Sequence, residues 1–284
     1  MAVTTLHEAI ADLLRLSGDG FQSSTSSLAG SNTTLVDQAL QDSAEPTTSY
    51  KTGHVKVIQG SLSDEVRRVA DYDRSNGTLT VGRPYGTAAP SGMAYQFSQR
   101  LPFVDLARCV NWALSEAYLV DQAVITPATA GQVSLPSWIT SREQIVRGLG
   151  RIGTVADSYT YYPVEIRHLE AAGTSPGVDE QVLKVQLQPP VLGQDALVVF
   201  AVRPYPALTS GSAPTSMAKE WLVPGALTRY YEVLAGRVGK EDVARYKDQA
   251  ALWRARWLAQ CASRQPNESR PTQFAQPFVP VTFP

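Results

Sequence analysis

Three observations predict an α+β fold: a capped amphipathic helix at the start of the chain, two stretches of short alternating strands, and a glycine-broken helical pair near the end. The expected body is antiparallel and β-rich, with a long packing helix and a C-terminal helical hairpin, and it carries extended N- and C-terminal arms. The boundaries read as residues 1–53 for the first helix and arm, 54–263 for the body, and 264–284 for the last arm. Within the body, 54–125 and 126–263 are candidate subdomains with no clear linker between them.

The first helix is expected near residues 4 to 16. Thr5 and Glu8 have capping-box spacing, and Leu6, Ile10, Leu13 and Leu14 make one apolar stripe. Residues 17 to 53 are rich in Ser, Thr and Gly, interrupted by Leu35, Val36 and Leu40, so an extended arm with one short helical insert is expected there, held by the domain or by a neighbouring subunit. From His54 to Gln99, Val55 and Val57, Leu79 and Val81, and Tyr95 and Phe97 alternate as strands do, and Asn76-Gly77 signals a tight turn. Pro102 opens the next helix, where its missing N–H costs nothing. Phe103, Leu106, Ala107, Val110, Ala113, Leu114 and Ala117 follow at helical spacing and are expected to pack across the sheet.

Ser141 to Leu149 reads as a short helix, followed by strands near 161–170, 182–187 and 196–202. Pro224 reads as a helix start with Leu227, Tyr231 and Leu234 inward. Gly236 and Gly239 end that helix, and a longer one runs from about Glu241 to Ala262. In it Val243, Tyr246, Ala250, Trp253, Trp257 and Cys261 form a narrow seam, a pattern of core or of a partner-helix contact. The last twenty residues alternate prolines with Phe274, Phe278 and Phe283, which excludes helix and leaves an extended arm suited to a groove or sheet edge, on another subunit by preference.

Composition narrows the function classes. The 25 basic and 26 acidic side chains leave a net charge of -1 and make up 18% of the chain, fewer than its 24 Ser, 22 Thr and 18 Gln together. Such a neutral polar surface suits lasting contact more than steering, and it lacks the basic cluster that free DNA would need. No apolar run reaches the ~20 residues of a membrane span, and the start has no basic region followed by an apolar one. No membrane partner and no secretion by the usual route are expected. Cys109 and Cys261 read as buried, reduced thiols.

Catalytic, cofactor and metal residues are each expected to be none, and the chain is expected not to be an enzyme. Gly148-Leu149-Gly150-Arg151-Ile152-Gly153 matches GxGxxG, but its order of helix then strand is the reverse of a dinucleotide site, so it reads as a helix-terminating loop. Asp71, Asp73 and Ser75 imitate a calcium loop, but its glycine comes one place late and Gly82 stands where the final Glu would be, so a capped turn is the better account. His7, His54 and His168 have no metal-ligand spacing.

Several runs resemble virion structural proteins of tailed bacteriophages: SNTTLVD at Ser31–Asp37, VRRVADYDRSNGTLTV at Val66–Val81, the strand around Tyr95, FVDLARCVNWALSEAY, and GALTRYYEVLAG with ARYKDQAALWRARW. The resemblance covers most of the chain and carries no catalytic signature. It implies a neck or head-to-tail adaptor that forms a homo-oligomeric ring between portal and tail proteins, with genomic DNA passing through the lumen. It also implies a place in the virion after assembly in the bacterial host cytoplasm. Tail-tube and terminator roles share the same phrases. A peripheral tail β-sandwich binding a receptor or glycan through Trp138 or Trp221, and a hydrolase with a non-standard site, are the alternatives.

A ring needs two different faces that fit each other. Residues 1–52 hold six acids and two bases, and residues 219–264 hold nine bases and five acids, so the two ends are expected to meet between subunits. Interface hot spots favour Trp, Tyr and Arg. The candidates are Trp253, Trp257, Phe274, Phe278 and Phe283, with Arg245 and Arg254 as polar companions.

Overall fold

The computed structural model describes residues 4–26, 31–41, 50–125, 132–139, 144–152, 160–171, 183–188 and 196–262. The fold is α+β, with antiparallel sheets and a C-terminal helical pair. The chain divides into two compact units. One joins residues 1–116 to 206–260, and the other holds 117–205. The division is therefore discontinuous rather than a cut near residue 125. The C-terminal arm, with Phe274, Phe278 and Phe283, lies outside the described residues.

In the first unit, β1 (Thr4–Thr5) leads into α1 (Leu6–Ser17). The Thr5 hydroxyl accepts from the Glu8 N–H at 3.3 Å and Glu8 accepts from the Thr5 N–H at 2.8 Å, completing the capping box. Leu6, Ala9, Ile10, Leu13 and Leu14 are all buried.

Six antiparallel strands follow: β2 (Gly20–Ser24), β3 (Thr34–Val36), β4 (His54–Val57), β5 (Val66–Asp73), β6 (Thr78–Val81) and β7 (Ala94–Ser98). Their order is β2-β7-β4-β5-β6-β3. The segment expected as an arm thus supplies both outer strands of this sheet. Just past β2, the Ser26 N–H donates to the Val36 carbonyl of β3 at 2.8 Å, which brings the sheet's two edges together. The interior is filled by Leu35, Val55, Leu79, Tyr95 and Phe97, with Tyr50 and Tyr72 edge to face at 4.6 Å. Within it the Tyr95 hydroxyl donates to Asp37 at 2.6 Å.

Strand β5 does not alternate cleanly because its register with β6 shifts between Val69 and Asp71, and Val69 and Tyr72 face inward three residues apart. The Asn-Gly turn after it is capped as expected, with Asp73 accepting from the Ser75 N–H at 2.9 Å and Gly77 at φ 67°.

Helix α2 (Phe103–Ser115) starts directly after Pro102. It packs chiefly on α3 (Lys219–Ala235) and on α1, in place of the expected crossing of the sheet. α3 begins five residues before Pro224, which sits inside it. A proline there removes one backbone donor. Burial of Leu222, Val223, Ala226, Leu227, Tyr230 and Tyr231 outweighs that loss. At Gly225 a Cβ would lie 2.9 Å from both the Ala113 Cβ and the Trp257 ring, so only glycine lets these elements approach so closely. α4 (Lys240–Ala262) completes the helical pair. Short β14 (Pro214–Thr215) pairs with β1.

The second unit is another six-stranded antiparallel sheet, of β8 (Tyr118–Ile125), β9 (Gln132–Ser134), β10 (Ile145–Ile152), β11 (Thr160–Ala171), β12 (Leu183–Gln188) and β13 (Ala196–Pro204), in the order β8-β13-β10-β11-β12-β9. Two expectations are corrected here. Residues 145–152 form a central strand, not part of a helix, and Gly148 and Gly150 pair with β11 and β13 on either side. The GxGxxG run is therefore mostly mid-strand rather than a helix-terminating loop, and its Gly148–Ile152 portion offers no helix N-terminus to a phosphate.

Candidate subunit interface

Helix α4 has two long sides of different chemistry. The inner side carries Tyr246, Ala250 and Trp257, all buried, with Trp253 half-buried. The Trp257 ring lies 5.9 Å from that of Trp112, and Tyr246 stacks on Tyr231 at 6.1 Å. The seam is thus core of its own unit. Of the candidate hot spots, Trp257 is spent on that packing. Trp253 is partly covered by Arg256, whose guanidinium stands 4.8 Å from its ring.

A part-buried polar contact fixes the helix in place. Arg100, just past β7, donates to the Tyr246 hydroxyl at 2.8 Å and approaches the Asp19 carboxylate at 3.5 Å. The Asp19 side chain is fully buried, and its carboxylate also accepts from the Arg100 backbone at 3.3 Å and from Ser98 at 3.3 Å. Burial raises the Asp19 carboxyl above its ordinary range despite these partners, and it pushes the neighbouring Tyr230 hydroxyl up strongly.

The outer side of α4 is the feature that sequence reading missed. Ala251, Leu252, Ala255, Leu258 and Ala259 recur there at helical spacing and all are exposed, while the exposed Asp248 interrupts the same side between Ala244 and Ala251. Leu252 and Leu258 are 45% and 46% exposed. Arg245 and Arg254, both exposed, flank this stripe on opposite sides. The signal was present in the spacing, but alanines contribute little to hydrophobic periodicity and the tryptophan seam dominated it.

The expected attraction between the acidic start and the basic pair is partly satisfied within the chain, because Asp12 of α1 lies 3.5 Å from Lys219 of α3. A second polar cluster ties the start of α1 to the sheet. Asp64 accepts from Lys56 at 2.7 Å and lies 3.7 Å from His7, and a Cβ on Gly211 would overlap the His7 ring. Burial, then the Lys56 charge, holds His7 below its usual value. These groups lock a loop junction and front no cavity that is described.

Cys109 is buried and unpaired, and burial pushes its thiol up to about 12, so it is inert. Among the described residues no group of His, Cys, Asp and Glu is arranged to hold a metal ion, and no helix is long and apolar enough to cross a membrane. Trp138, proposed for glycan contact, is half-buried with the Arg203 guanidinium 5.4 Å from its ring, and Trp221 is half-buried in α3. Comparison with family models, with curated proteins and with solved structures finds no match to this chain.

Proposed function

We propose that this chain is a structural protein of a tailed-bacteriophage virion, a neck or head-to-tail adaptor that works as a homo-oligomeric ring between portal and tail proteins. The observation that carries the reading is the outer side of α4. A helix already anchored by an aromatic core on one side has little need of leucines on the other, and the exposed alanines and leucines over residues 251–259, edged by arginines and with Asp248 at their N-terminal end, suit close approach of a second surface. The sequence resemblance supports the same reading. Function then lies in geometry: the α4 stripe of one subunit meets a different face of the next, as ring closure requires.

Negative-stain microscopy and solution mass test this. The expected result is a ring of uniform subunit number, alone or on adding portal or tail proteins. Leu252→Glu with Leu258→Glu is expected to leave the fold intact and to abolish assembly. A stable monomer at high concentration, with no assembly on adding those partners, overturns the proposal.

A further inference from the structure

Between α2 and α3 lies an open cleft of about 310 Å³, lined by Asp105, Arg108, Cys109, Arg229, Val233 and Arg237. Asp105, in the first turn of α2, is the only acid of this lining. Its carboxylate is largely buried and accepts from Arg237 at 2.7 Å and from Arg108 at 3.2 Å. Arg229 donates to Glu232 at 2.9 Å. One arginine would compensate Asp105, and three are present.

Three guanidiniums against the carboxylates of Asp105 and Glu232 leave one surplus positive charge at the cleft. Each guanidinium has five N–H donors, so those spent on Asp105 and Glu232 leave others for a ligand, in the fork geometry that matches an oxyanion. The first turn of α2 adds its partial positive charge. A single surplus charge beside a fixed carboxylate suits a monoanion and disfavours a dianionic phosphoryl group, which Asp105 would repel. Val233, half-buried, gives the cleft an apolar wall, fit for the methylene stem of an acidic side chain.

We infer that this cleft is a docking site for an acidic side chain of a polypeptide partner, a glutamate or aspartate gripped by Arg108, Arg229 and Arg237. The inference is independent of ring formation, because it concerns a cleft built from α2 and α3 and not the outer side of α4.

The test is fluorescence anisotropy of labelled hexaglutamate with the full chain at low salt, where such contacts are strongest. Saturable binding is expected, with hexaglutamine unable to compete. Arg108→Gln with Arg229→Gln is expected to weaken binding about tenfold, whereas Arg74→Gln with Arg83→Gln, two exposed arginines elsewhere, changes it less than about twofold. If the double variant melts early, Arg108→Gln alone carries the test with a loss of about threefold, since that side chain is 75% exposed. The inference is overturned by absence of saturable binding, by equal weakening in both double variants, which means diffuse charge, or by inorganic phosphate displacing the peptide more effectively than acetate, which means a phosphoryl site.

Discussion

On its inner side α4 presents Tyr246 and Trp257 to aromatic partners, and on its outer side it presents Ala251, Ala255 and Leu258 to open space. Both sides have helical spacing and, over residues 251–259, both are apolar, yet only one has a partner within the described chain. Periodicity alone therefore identifies a stripe and cannot say what covers it. Size separates the two: large aromatic rings fill the distance to a neighbouring helix, while small side chains keep a surface flat enough for a close second body.

The inner side breaks most severely at Trp257. Replacing it with Ala removes the ring that meets Trp112 and closes over Gly225, and a loss of about 3–5 kcal/mol is expected in denaturant unfolding. Tyr246→Phe is milder. It leaves the Arg100 guanidinium without its 2.8 Å acceptor, and about 1–2 kcal/mol should be lost by the same measurement.

The polar contact behind that side has a pH signature. Because the folded state raises the Asp19 carboxyl, its favourable contribution is present below the unfolded pKa of about 4 and is lost as pH rises through the folded value. The stability advantage of the natural chain over Asp19→Asn is therefore expected to shrink as pH increases from about 4, then to level off. Unfolding curves across that range check it. A pH-independent difference would mean that Asp19 titrates alike in both states.

The outer side should be the least sensitive in stability. Leu252→Glu with Leu258→Glu is expected to shift unfolding by no more than about 0.5 kcal/mol while changing the mass of the particle in solution. If instead it unfolds the chain, the contrast between the two sides fails.

Much of the first unit was legible because local signals agreed with tertiary needs. Thr5 and Glu8 fixed the start of α1, and each of its four stripe residues is buried. Residues 145–149 misled because Val146 is 57% exposed and the glycines interrupt alternation, while pairing on both sides with β11 and β13 decides their state. Pro224 misled because a proline favours a helix's first turn only when nothing upstream is worth burying, and Leu222 and Val223 are. The arginine cleft had no local signature at all. Arg108 and Arg229 come from distant stretches of chain and meet only because α2 rests on α3.

Residues 117–205 leave the first unit and return to it at adjoining points, for Tyr118 pairs with Pro204 and the Tyr205 N–H bonds to the Ala117 carbonyl at 3.4 Å. Synthesis on the ribosome meets this arrangement in a fixed order. α1 and α2 emerge first, and the helix that covers their apolar sides arrives only after the whole intervening excursion has been translated, roughly 5–20 s later at ordinary elongation rates. During that interval the nascent chain offers Leu13, Leu106 and Val110 to whatever chaperone is near. The speed of translation through the excursion sets how long those side chains wait for their cover.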